Sequence, residues 1–156
     1  MIHMLIGIQG SGKTTFSKIL KEKLHCDIVS SDGIRKSHPE FKEDMVWPEI
    51  YRLIGEDVKM DRDVIYDATN ITPKVRKRFM DNINLVTNNH PFKIMAYFID
   101  TPLEECIERV KIRNENKNEI YLPIEVISSY YHSLIKPTID EGFIKINIVK
   151  NNEIVE

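Results

Sequence analysis

Cysteine is scarce in this chain. Cys26 and Cys106 are the only two, far apart and without Cys-x-x-Cys spacing. That argues against a disulfide framework or a thiolate zinc site. Long apolar runs are also missing. The N-terminal MIHMLIGI is short and lacks the basic flank of a secretory leader, and nothing approaches the roughly 20 residues of a membrane span. The expectation is a cytoplasmic protein with no membrane segment. Nor is there an excess of charge of one sign: Lys and Arg total 22 against 24 Asp and Glu, for a net charge of −2. A global basic field that would hold a long nucleic acid is therefore excluded, and any such contact must be local. No repeat, low-complexity tract or linker interrupts the chain. Its 156 residues, 42% hydrophobic, fit a single domain over 1–156 with a real core.

What is present is an alternation of strand-like and helix-like segments. HMLIGI, DIVS, DVIYDATN, FKIMAYFID and FIKINIV read as buried strands. Between them, KTTFSKILKEKL, VWPEIYRLIGEDVKM, TPKVRKRFMDNINLV, TPLEECIERVKIR and PIEVISSYYHSLI read as helices. Pro48 suits the first turn of the second helix, and the two Thr-Pro pairs suit helix starts. NENKNEIYL is polar and reads as a loop. The order predicts an α/β fold with a central parallel sheet flanked by helices on both faces. Ligands of such sheets sit beyond the carboxyl ends of the strands. Polar strand endings cluster there: 7–13, 30–35 and 67–70.

The first of these endings, GIQGSGKTT, matches Gly-x-x-x-x-Gly-Lys-Thr from Gly7 to Thr14. Glycines allow backbone N–H groups to turn inward around a phosphate, and the following helix adds its positive end. Gly10, Ser11, Gly12, Lys13, Thr14 and Thr15 are therefore the expected phosphate cradle for ATP. Lys13 would reach the β- and γ-phosphates, and Thr14 would ligate Mg²⁺.

The other endings carry acids. Asp32, on a loop with Arg35 three residues on, is placed like a catalytic base near the phosphates. Asp67 follows an apolar strand and has the pattern of a Mg²⁺-supporting carboxylate, with Thr69 and Asn70 beside it. Each also has a plain alternative: helix cap, surface ion pair, or turn residue. Arg109 and Arg113 are spaced i, i+4 and would share one helix face. They stand at the base of a segment, 110–123, expected to close as a lid over the triphosphate. Arg113 would neutralise charge on the moving phosphoryl group. Their alternative is a solvated face with a Glu105–Arg109 pair.

Together these residues resemble the kinase module of polynucleotide 5′-hydroxyl kinases of the bacteriophage and bacterial end-healing type, within the P-loop kinase superfamily. The resemblance rests on the glycine loop, Asp32-x-x-Arg35, Asp67-Ala68-Thr69-Asn70, Arg109-x-x-x-Arg113 and Pro123. It spans Met1 to about Val149. It implies a P-loop kinase fold with a small lid. Asp32 would be the general base on a 5′-hydroxyl, and Arg35 would hold the phosphate following the acceptor nucleoside. Asp67, Thr69 and Asn70 would lie at the substrate side. The phage enzyme has its acid directly before Thr-Asn, whereas Ala68 intervenes here, a spelling more like the mammalian module. Asp61 and Asp63 in MDRDV follow a helix-like segment, unlike a phosphatase motif, so a kinase-only protein is expected.

Three acceptor readings stay open on these residues. One is a DNA or RNA 5′-end, with Lys74, Arg76, Lys77 and Arg78 as a local backbone-binding face or simply a solvated one. The second is a small hydroxylated metabolite such as a nucleoside, sugar or antibiotic. The third is a non-catalytic nucleotide switch, which would not need Asp32 or the lid arginines. The loop 136–142 is the expected site for the nucleotide base. His38, His90 and His132 are given no role.

Overall fold

Strand β1, Ile2–Ile6, is buried along its whole length. Ile2, Met4 and Ile6 point into one hydrophobic layer and Leu5 into the other, the two-sided burial expected of an interior parallel strand. In the computed structural model, which describes residues 1–156, β1 pairs in parallel with β3 (Val64–Asp67) and β4 (Ile94–Ile99). The six-stranded sheet runs β2-β3-β1-β4-β5-β6, with β2 at Asp27–Ser30 and β5 at Lys145–Lys150.

The short β6, Glu153–Ile154, departs from the expected all-parallel sheet, because it runs antiparallel to β5. Asn151 and Asn152 make the turn with positive φ values of 50° and 63°. Asparagine tolerates that conformation, and hairpin turns require it.

Helices cover both faces. On one, α3 (Glu43–Lys59) and α4 (Pro73–Val86) bury Val46, Ile50, Ile54, Val58, Phe79 and Ile83 against the sheet. On the other, α1 (Lys13–Leu24) contributes Phe16 and Leu20. Cys106 and Val110 of α5 (Leu103–Asn114) and Ile127 of α6 (Ile124–Ser133) form a third cluster with Ile8. No helix is long and apolar enough to cross a membrane.

Three local readings change. Residues 31–37 form a helix, α2 (Ser31–Ser37), where the sequence suggested a loop. Ser30 caps it, its Oγ accepting from the Gly33 N–H at 2.7 Å. Helix α3 starts at Glu43, with Glu43 and Asp44 in its first turn, where the helix dipole favours acids. Pro48 therefore lies inside the helix and not in its first turn. Helix α5 starts after Pro102 without a side-chain cap. Thr101 instead donates its hydroxyl to the Ser11 carbonyl at 2.7 Å, tying α5 to the glycine loop.

The basic cluster on α4 does not form one face. Arg76 is fully buried. Its Nε donates to Glu141 Oε1 at 2.7 Å, and its Nη1 donates to the carbonyls of Asn70 and Ile135 at 2.8 and 3.1 Å. Lys77 pairs with Asp81 at 2.8 Å on the surface. Burial alone would raise the Glu141 carboxyl, but hydrogen bonds from Arg76 and the Thr138 backbone outweigh it and hold Glu141 below the usual carboxylate range. A depressed folded-state pKa contributes stability that is present above the unfolded value and lost as pH falls through the folded one. Glu141→Gln should therefore cost about 3 kcal/mol near neutral pH, because Arg76 loses its counter-charge. Thermal unfolding against pH checks this: the gap between variant and parent should shrink as pH falls below the ordinary glutamate range and through the depressed Glu141 value.

Candidate active site

The chain leaves β1 at Gly7, whose N–H donates to the Thr69 carbonyl at 3.0 Å. The loop then passes through two left-handed glycines, Gly10 (φ 79°) and Gly12 (φ 101°). A Cβ on Gly10 would stand 2.5 Å from the Cys106 carbonyl oxygen, so α5 packs directly on the loop. Gly12 starts α1 with no side-chain cap and no acid in the first turn. The amides there are left for an outside anion, which is the condition for a phosphate site. Lys13 Nζ donates to the Ile8 carbonyl at 3.1 Å, across the loop mouth. Burial lowers its pKa, while Asp67 and Asp32 pull it back up.

Asp67 ends β3 and is buried. Burial raises its pKa, opposed by the Lys13 charge and by a hydrogen bond with the Thr14 side chain. A carboxylate and a hydroxyl thus meet beside the loop. No cluster of three or more His, Cys, Asp or Glu side chains exists for a metal. That donor set fits Mg²⁺, which takes one or two protein oxygens and completes its shell with phosphate and water.

Asp32 lies in the first turn of α2, on a helix and not on a loop. Its carboxylate accepts from Arg35 Nη1 at 2.8 Å and lies 3.8 Å from Arg113 Nη2. Arg35 is held on its other side by Glu43, with Nε to Oε2 at 3.1 Å, and sits 5.7 Å over the Trp47 ring. Arg109 and Arg113 both reach the cleft from α5, as their i, i+4 spacing predicts. Arg109 Nη1 donates to the Gly10 carbonyl at 3.1 Å. Arg113 Nε lies 3.5 Å from Glu119, which also reaches Lys36 of α2 at 3.4 Å. The loop after α5 is closed by Asn114, whose side chain bonds both the N–H and the carbonyl of Leu122.

A cleft of about 900 Å³ joins these groups. Gly10, Gly12, Lys13, Thr14, Thr15, Asp32, Arg35, Asp67, Thr69, Arg109 and Arg113 all line it. Two residues expected at the site do not. Ser11 is buried, with its N–H donating to the Ile8 carbonyl at 3.2 Å and its own carbonyl accepting from Thr101. Asn70 is 1% exposed, with φ 49°, and its Nδ2 donates to the Leu5 carbonyl at 2.9 Å. It stitches the β3 exit to β1 and is absent from the cleft wall.

The sequence reading missed an aromatic chamber at the far end of the cleft, built from Trp47 and Tyr51 of α3, Tyr66 of β3 and Phe79 of α4, with Arg78 at its edge. The signal was legible: the only tryptophan and Tyr51 stand at i, i+4 on one helix. It also missed the β5–β6 turn, where Asn152 Oδ1 comes within 3.9 Å of the Cβ position of Gly12.

A family model described as an AAA domain matches residues 2–137. The chain is 29% identical over 147 residues to an L-seryl-tRNA(Sec) kinase of Methanococcus maripaludis, covering 88% of this chain and 53% of that protein. It thus spans about half that relative's length. It is 22% identical over 150 residues to a Schizosaccharomyces pombe protein named "Probable gluconokinase", covering 90% of this chain and 75% of the other. Among solved structures, Chaetomium thermophilum Kti12, determined with ADP-AlF3, superposes with a TM-score of 0.70 at 16% identity, covering 97% of this chain and 89% of that one. The two sequence relatives are named for different acceptors, so the resemblance to polynucleotide kinases broadens to the P-loop kinase superfamily. With a family match across most of its length, the chain belongs to the AAA domain family.

Proposed function

We propose that the protein is an ATP-using, Mg²⁺-dependent kinase that phosphorylates the 5′-hydroxyl end of a nucleic acid. The carrying observation is Asp32 held at 2.8 Å by Arg35 within the same cleft as Lys13 and Thr14. A carboxylate beside the phosphate cradle can accept the acceptor's proton as its oxygen attacks the γ-phosphorus and the bond to the ADP oxygen breaks. Arg35 already stands next to that base, where a phosphate adjoining the attacked hydroxyl would lie. Arg113, 3.8 Å from Asp32, can take up charge on the transferred group. Lys13, Thr15 and Arg109 would hold the nucleotide phosphates, and Thr14 and Asp67 the Mg²⁺. The ion would supply neutralisation of the charge on the nucleotide phosphates.

A second reading is favoured by one observation. Of Lys74, Arg76, Lys77 and Arg78, only Arg78 lines the cleft, so α4 presents no basic track for a long backbone. A small hydroxylated acceptor would need none.

Incubation with γ-labelled ATP, Mg²⁺ and a panel of acceptors separates the two. The panel contains 5′-OH DNA and RNA oligonucleotides, nucleosides, gluconate and seryl-tRNA. Label on oligonucleotide 5′-ends is the expected result. Label confined to metabolites, or to the seryl group, would overturn the 5′-end assignment.

A further inference from the structure

The far chamber of the cleft is chemically unlike the phosphate end. Trp47 and Tyr51 stand one turn apart on α3 and are half-buried, facing the cleft over a floor of Tyr66 and Phe79. Those two floor rings stack at 4.3 Å between centroids, with planes 22° apart. Val75 and Arg78 of α4, both exposed, also line the cleft. Arg35 lies over the Trp47 ring, so the side chain beside Asp32 is also in contact with this wall. Burial pushes the Tyr51 phenol up, with the Arg78 charge opposing it, so its hydroxyl is a protonated donor at neutral pH. The chamber is therefore mostly aromatic, with few polar groups. A polyhydroxy acid would leave most of its hydroxyls unpartnered there. A flat heteroaromatic ring would be covered on its face and met at its edge by Arg78 and Tyr51.

We infer that this chamber receives the base of the acceptor's terminal nucleoside. The inference rests on the 5′-hydroxyl kinase reading and adds that the base, besides the sugar and phosphate, determines which ends are used. Trp47 and Tyr51 are then specificity-determining residues. The specificity is for the presence of a base: stacking separates a base-bearing end from an abasic one and accepts any base, because each has a π-face.

The test uses the unaltered protein first. Because Trp47 is the only tryptophan, its fluorescence reports this wall, Arg35 included, and an abasic acceptor controls for that arginine. With a non-hydrolysable ATP analogue and Mg²⁺ occupying the donor side, a 5′-OH dinucleotide should quench Trp47, and its analogue with an abasic 5′ residue should not. Transfer from ATP should show kcat/KM lower for the abasic end by roughly 5- to 150-fold, the range for one base–aromatic stack. Tyr51→Ala should bring the base-bearing value down toward the abasic one, and Tyr51→Phe should restore most of it. Should Tyr51→Ala fail to fold, the two acceptors compared on the parent protein still decide. Equal kcat/KM for base-bearing and abasic ends would overturn the inference and leave the 5′-end reading intact. Transfer to neither, with gluconate phosphorylated and quenching Trp47, would overturn both.

Discussion

Asp32→Asn is expected to lower kcat by roughly 10²- to 10⁴-fold, the usual contribution of a positioned general base. Nucleotide affinity should change little, because the cradle is built from the 7–15 loop and not from α2. The geometry makes the variant informative. Arg35 loses the charge of Asp32, although the amide oxygen can still accept from its Nη1, and it keeps Glu43 through Nε at 3.1 Å. Its position next to the acceptor is therefore retained, and the loss reports proton transfer more than a displaced arginine. Steady-state transfer to a 5′-OH oligonucleotide, with nucleotide binding measured separately, reads both quantities. A variant with near-parental kcat would remove Asp32 from the base role, and the ion pair with Arg35 would then be its whole function.

Gly10→Ala should be the most damaging single methyl in the chain. The new Cβ would lie 2.5 Å from the Cys106 carbonyl oxygen and 3.0 Å from Val110 Cγ2. The backbone there has φ 79°, which L side chains rarely adopt. Neither obstacle can swing aside, since one is backbone and the other belongs to the buried cluster of Ile8, Cys106, Val110 and Ile127. Strain and overlap together are expected to cost about 3–5 kcal/mol. For a chain of this size that is a fall in Tm of roughly 6–20 °C. Thermal protection by Mg·ATP should disappear with it. Gly142→Ala is the matched control. Gly142 also has positive φ, 109°, but nothing lies within 4 Å of its Cβ position. It should lose only the conformational part, about 1 kcal/mol. Equal losses at both positions would mean that α5 does not pin the phosphate loop.

The two variants separate parts of the site that differed in legibility. The nucleotide side could be read because its determinants are contiguous. A buried strand, a glycine turn and a helix start follow one another within 24 residues, and each is set by local conformational preference. The Thr72 cap with Pro73 behind it was local in the same sense, and the structure has Thr72 Oγ1 accepting from the Val75 N–H at 3.2 Å. The i, i+4 pair Arg109 and Arg113 reached the cleft for the same reason. Where a local signal was weak, the reading slipped. Seven residues of α2 carry a Ser cap but little apolar periodicity, so they looked like a loop. The β6 return depends on two asparagines whose turn role shows only once β5 has a free edge.

By itself, the amino-acid sequence determined a glycine loop between strand and helix, an alternating α/β order, and acids at the ends of the second and third strands. Periodicity and backbone preference act over a few residues and leave a readable pattern. The tertiary structure decided which of those groups meet. It withdrew Arg76 from the surface to pair with Glu141, 65 residues away. It turned Asn70 inward to the Leu5 carbonyl, and brought Arg113 and Glu119 across to Asp32 and Lys36. It also set Trp47 and Tyr51 of α3 beside Phe79 of α4 to make the aromatic chamber. Such contacts follow from how whole faces bury against one another. Their members are distant in the chain, and no local spacing records them.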